Sequence, residues 1–146
     1  ENLGFLPGDM KDKIDPYLIP LYDSLYELLG YEKIQRKIEE GIIEIAPLAF
    51  MRGRTLKDSF VILDEAQNAT FTQIKMFLTR IGEDCKVVIN GDIQQSDIRG
   101  PNGLADAVER LQGLPGVYLH EFEREDIVRS GLVRDIIDRY ELPNED

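Results

Sequence analysis

With 146 residues, 42% hydrophobic and 31% charged, the chain has the size and balance of one globular domain, and a domain of that size buries about 70% of its unfolded surface. A net charge of −11 argues against a broad basic face for nucleic acid, because affinity there comes mainly from neutralising phosphates; the one local basic cluster is MRGRTLK, residues 51–57. A single cysteine, Cys85, and a single histidine, His120, exclude an internal disulfide framework and a zinc cluster, and no run is apolar and long enough to span a bilayer. With no export signal, these features point to a reducing cytoplasm.

The opening ENLGFLPGDMKDK carries Gly4, Pro7 and Gly8 with little periodicity and reads as a loop. Leu18, Leu21, Tyr22, Leu25, Leu28 and Leu29 then recur at spacings of three and four, which predicts an amphipathic helix ending at Gly30, with Pro20 in its first turn. The charged stretch from Tyr31 predicts a second helix that stops at Gly41. Four apolar runs read as strands: IIEIAPL (42–48), FVILDE (60–65), KVVING (86–91) and VYLHEF (117–122). The second and third are short, β-branched and continuous, as parallel strands covered on both faces are. Between and after them lie helical stripes. Phe71, Ile74, Phe77, Leu78 and Ile81 form one, entered through a capping box from Thr70 to Gln73. Leu104, Ala107, Val108 and Leu111 form another, and residues 127–140 a last one with a bend at Ser130-Gly131. Strands alternating with helices predict an α/β domain with a mainly parallel sheet.

The chemistry sits at the ends of two of these strands. FVILDEAQN delivers Asp64 and Glu65 to the carboxyl edge of the sheet, where open α/β folds bind their ligands. Asp64 is suited to holding magnesium through its water shell. Glu65 is suited to polarising the water that attacks a γ-phosphate. The plainer alternative is that two acids cap the following helix. After the next strand, INGDIQQSD (89–97) would bring the Gln95 amide to the same crevice, where it can donate to a phosphate oxygen and accept from water. Its alternative is a Gly91-Asp92 turn with Gln95 in solvent. Cys85 and His120, before and within predicted strands, read as structural.

LGFLPGD, APLAFMRGRTL, FVILDEAQN, FLTRIG, INGDIQQSD and DIVRSGLVRDIIDRY resemble, in order and over nearly the whole chain, the blocks of PhoH-like proteins, P-loop ATPases related to superfamily-one helicases. The resemblance implies a RecA/helicase-like P-loop NTPase fold that binds magnesium and ATP. It makes Asp64 the Walker B metal residue, Glu65 the catalytic glutamate and Gln95 the sensor glutamine, and it matches Arg129 to the arginine of the Asp-x-Val-Arg block. Arginine offers a permanent charge and forked donors to a developing phosphate charge. Arg129 could serve its own site or a neighbour's, or pair with Glu125 or Asp126 on a helix surface. Arg52 and Arg54 could touch nucleotide, RNA or a neighbouring subunit, or pair within this acidic chain.

One departure stands out. PhoH-like proteins carry Gly-x-x-x-x-Gly-Lys-Ser/Thr upstream of LGFLPGD, and these 146 residues contain no such loop. That loop supplies backbone N–H groups, a lysine for the β/γ-phosphates and a hydroxyl for the metal. Losing three charge-assisted hydrogen bonds at ~1.5–3 kcal/mol each removes ~5–9 kcal/mol, or about three to six decades of affinity. The strand that feeds the loop is central in related sheets, between those matching KVVING and VYLHEF, so its absence leaves edges to close, expose or pair with another chain. The expectation is therefore a single partial ATPase domain over residues 1–146, a fragment of a longer protein or, alternatively, a loop-less pseudoenzyme. The parent would hydrolyse ATP, with RNA as an implied partner. The chain itself would be nearly inactive and bind magnesium and ATP weakly or not at all. The competing function is a non-catalytic interaction module that forms homo-oligomers through its exposed sheet or through Arg52-Gly53-Arg54.

Overall fold

In the computed structural model, residues 16–96, 100 and 102–141 are described. The predicted opening loop and the LGFLPGD block lie outside them, as does Asp97. The chain divides into two compact units, the first reaching to Arg110 and the second beginning at Leu111.

The first unit opens with a 3-10 turn, Pro16–Leu18, that runs into α1 (Ile19–Leu29), with Pro20 in the first turn as predicted. Proline is tolerated there because the first helical N–H groups have no partner to lose. Gly30, at φ 82°, ends α1 and admits α2 (Tyr31–Glu39) directly behind it. Tyr26 packs its ring 4.9 Å from that of Tyr31, and Gln35 Nε2 donates to the Tyr26 hydroxyl at 2.7 Å. Ile34 of α2 is fully buried.

Two of the four predicted strands form. β1 (Ser59–Leu63) and β2 (Cys85–Ile89) pair in parallel, with Val61 opposite Val87 and Leu63 opposite Ile89. Between them runs α3 (Phe71–Leu78), so the unit is a β-α-β crossover. The capping box forms as the sequence indicates: Gln73 N–H donates to Thr70 Oγ1 at 3.2 Å and Thr70 N–H to Gln73 Oε1 at 2.9 Å. Thr70→Ala should therefore cost about 1 kcal/mol of stability, read as a shift in the chemical-denaturation midpoint. α4 (Gly103–Leu111) follows β2, and Ile74, Phe77, Leu104 and Ala107 are buried.

IIEIAPL makes no strand among the described residues. The N–H groups of Ile42 and Ile43 both donate back to Lys37 O at the end of α2, and Pro47, which has no donor, introduces a 3-10 turn at Leu48–Met51. VYLHEF, in the second unit, is likewise outside any ladder. Apolar alternation makes a strand only where a neighbour supplies the ladder, and no described residue does so. The second unit otherwise holds a 3-10 turn, Arg124–Asp126, and α5 (Gly131–Glu141). The predicted bend at Ser130-Gly131 is instead a helix start: Ser130 O accepts the Arg134 N–H at 3.1 Å, while Ile127 and Val128 stay outside the helix.

The two-stranded sheet is α/β, as predicted, but only one of its faces is covered. Phe60 and Ile62 of β1 are 64% and 59% exposed, and Val88 beside Ile62 is exposed too. That bare face is the structural counterpart of continuous apolar strands written for cover on both sides.

Candidate functional site at the carboxyl ends of the two strands

β1 ends at Leu63, and the chain turns sharply at Glu65, which adopts a left-handed conformation (φ 52°, ψ 41°). A non-glycine residue there carries strain, a feature that collects at functional sites. The turn is held by the loop after β2: Asn90 N–H donates to Leu63 O at 3.1 Å and Ala66 N–H donates to Asn90 O at 3.0 Å. A 3-10 turn, Ala66–Asn68, then leads to the α3 cap.

Gln67 joins the two loops. It is only 3% exposed, its Nε2 donates to the Glu65 carboxylate, and its Oε1 accepts the Asp92 N–H at 3.1 Å. Its backbone carbonyl accepts from the Ser96 hydroxyl at 2.8 Å. Gly91 makes this approach possible, since a Cβ there would lie 2.5 Å from Gln67 Oε1 and 2.8 Å from Leu104 Cδ2. Sequence reasoning passed over Gln67, whose only signal was a polar residue in a segment about to enter the core.

Glu65 and Gln95 line one cleft of about 450 Å³ together with Gln67, Asn68, Ser96 and the Pro16-Tyr17 turn. Gly91 and Asp92 do lead into a turn, closed by Gln95 N–H donating to Asp92 O at 3.0 Å, and Gln95 is exposed. The turn nonetheless places Gln95 on the cleft wall beside Glu65. Among the described residues of that lining, Glu65 is the only acidic or basic side chain.

Asp64 directly follows β1 and is half-buried; unlike Glu65 and Gln95 it is not among the described residues lining the cleft, and its carboxylate accepts no hydrogen bond from the described residues. An unpartnered carboxylate fits magnesium, which takes one or two carboxylates and keeps water and phosphate for its other positions. Among the described residues no three His, Cys, Asp or Glu side chains gather into a metal-holding group.

The arginines fall elsewhere. Arg54 grips Glu44 through both terminal nitrogens, at 2.5 and 2.9 Å, and this hydrogen-bonded pair holds the Glu44 carboxyl below its ordinary range. Of the roles open to it, Arg54 thus occupies an ion pair within the chain. Arg52 is exposed on the same loop. Arg129 belongs to the second unit, where it is exposed and has no ion pair with Glu125 or Asp126; Asp126 instead accepts the Glu123 N–H at 2.8 Å. Cys85 is a half-buried residue of β2. No helix of the described residues is long and apolar enough to cross a membrane.

Comparison with known proteins places the chain in a family. The family described as PhoH-like protein matches residues 1–141. The PhoH-like protein of Bacillus subtilis (strain 168) is 56% identical over 146 residues, covering 99% of this chain and 46% of the relative. The PhoH-like protein of Mycobacterium tuberculosis (strain ATCC 25618 / H37Rv) is 51% identical over 148 residues, 98% of this chain and 42% of its own length. Protein PhoH of Escherichia coli (strain K12) is 50% identical over 144 residues, 96% of this chain and 41% of its own length. The chain thus spans less than half the length of these relatives. With the match running over nearly every residue, the chain belongs to the PhoH-like protein family.

Proposed function

We propose that the protein containing these residues binds and hydrolyses ATP with magnesium, and that Asp64, Glu65 and Gln95 are the metal-and-water half of its site. The observation that carries this reading is the meeting of Glu65 and Gln95, from the ends of two adjacent parallel strands, on one cleft. Ligands of open α/β sheets bind at that edge. Asp64 would hold magnesium, which when bound neutralises charge on the phosphate oxygens. The Glu65 carboxylate orients the attacking water and takes up its proton, and the Gln95 amide senses the γ-phosphate. The site as read does not use Arg54, whose guanidinium is committed to Glu44. Arg129 fits the charge-stabilising role that its resemblance implies. Coupling of hydrolysis to RNA remodelling in the cytoplasm is the finer part of the proposal and rests on that resemblance.

The test is phosphate release by the full-length protein against magnesium concentration. Asp64→Ala should lower the rate on the order of a hundredfold and weaken its dependence on magnesium. Wild-type hydrolysis in that variant, or none in the wild type, overturns the reading.

A second reading is favoured by the bare sheet face at Phe60, Ile62 and Val88. In it the fold serves as an assembly module that self-associates through apolar surface. Light scattering separates the two, since a strictly monomeric protein with magnesium-dependent hydrolysis leaves only the ATPase.

A further inference from the structure

We propose that Gln67 is a positioning residue, one that sets the Glu65 carboxylate and ties it to the turn carrying Gln95. The proposal rests on the ATPase reading of the site and names a residue which that reading does not use.

Beside the Asn90 N–H bond to Leu63 O at the end of β1 itself, three hydrogen bonds among the described residues join the loop after β1 to the loop after β2. The Ala66 N–H bond to Asn90 O is main chain to main chain, and the Ser96 hydroxyl bond to Gln67 O uses a carbonyl that any residue would offer. Among the described residues, only the Gln67 side chain bonds both the Glu65 carboxylate and the backbone of the turn that carries Gln95. Its Nε2 donates to Glu65 Oε2, leaving Oε1 with no bond from the described residues, and its Oε1 receives the Asp92 N–H. Asp92 in turn closes the tight turn to Gln95, accepting Gln95 N–H at 3.0 Å.

A primary amide is suited to this position. It must donate on one side and accept on the other while buried, and a carboxylate or an apolar side chain of the same length satisfies only one demand or neither. A shift of the Asp92–Gln95 turn therefore pulls on the amide that holds Glu65. Glu65 itself sits on a strained left-handed backbone, where the side chain needs an external hold to keep one direction. Burial makes the hold stiff, since an amide at 3% exposure has no water to exchange into. Gly91 is part of the device because any side chain there would displace Gln67 Oε1.

The test uses the full-length protein with Gln67→Met, which is close in shape and removes donor and acceptor, and Gln67→Glu, which keeps an acceptor for Asp92 N–H but, ionised, has no hydrogen for Glu65. Rates are counted per ATP-binding site by calorimetric stoichiometry, so that a loss of folded protein does not register. Both variants should lower kcat about tenfold or more with KM for magnesium-ATP within about twofold, the mark of an interaction felt in the chemical step. Deuterium uptake across residues 91–96 should rise several-fold, roughly, in Gln67→Met and stay near wild type in Gln67→Glu. A purely structural amide would give wild-type turnover per site in both. That result, a parallel change in kcat and KM, or unchanged uptake in Gln67→Met overturns the proposal. Should the wild type not hydrolyse ATP, the ATPase reading falls while exchange still decides the tie: raised uptake supports it and unchanged uptake removes it. If Gln67→Met fails to fold, the kcat and KM of Gln67→Glu decide alone.

Discussion

Glu65→Gln in the full-length protein is expected to suppress ATP hydrolysis by about 10²–10⁴-fold while leaving ATP affinity within a few-fold of wild type. The amide occupies the same volume and still accepts a hydrogen bond, so the turn at residue 65 survives. What it loses is the charge that orients a water and takes its proton. The Gln67 Nε2 donor can pair with the new amide oxygen as it does with the carboxylate, which keeps the local network intact. Quench-flow phosphate release and calorimetric binding on the same preparation check the split. Loss of binding and hydrolysis together would assign Glu65 a structural role, as would a variant that unfolds at room temperature. If Glu65 only caps the following turn, turnover should be nearly unchanged, because an exposed cap contributes little beyond local stability.

The second large effect concerns affinity. Magnesium-ATP should bind the isolated 146 residues about three to six decades more weakly than a protein extended to the length of its relatives, the ~5–9 kcal/mol carried by the phosphate-binding loop. The cleft makes a physical case for that gap. Among the described residues its lining holds one carboxyl side chain, Glu65, and no lysine or arginine. A triphosphate approaching this wall alone meets repulsion and a few neutral donors. On the proposed reading, attraction comes from a metal on Asp64 and from cationic and N–H donors beyond the described lining. Calorimetric titration into both proteins measures the difference. Micromolar binding by the short chain would mean that the described cleft is a complete site, and the Walker B assignment of Asp64 and Glu65 would then fail.

Several of these features could be read from residues alone, and the reason is that they are local. The helix from Ile19, with Pro20 in its first turn, follows from spacing and from the place proline can occupy. The Thr70–Gln73 capping box is set by four consecutive residues. β1 and β2 were legible because short β-branched runs with no polar interruption have few other stable states. That Glu65 after β1 and Gln95 after β2 would meet on one cleft was legible because parallel strands point their carboxyl ends the same way.

Other features depend on partners distant in sequence. IIEIAPL and VYLHEF have strand composition, yet a ladder needs a second backbone, and the N–H groups of Ile42 and Ile43 found Lys37 O instead. The fate of Arg54 turned on Glu44, ten residues away, and on a loop that brings both terminal nitrogens to one carboxylate. Gln67 gave no periodic signal at all. Its role arises from a Gly91 without a Cβ, a turn that aims the Asp92 N–H inward, and a left-handed Glu65 that brings its carboxylate back over the chain. The sequence by itself determined which residues are proposed to carry the chemistry, because charge, amide and strand end are properties of single residues and short runs. Only the tertiary structure decided how Glu65 is held, because the hydrogen bonds of a buried amide such as Gln67 depend on the packing of segments that meet in space alone.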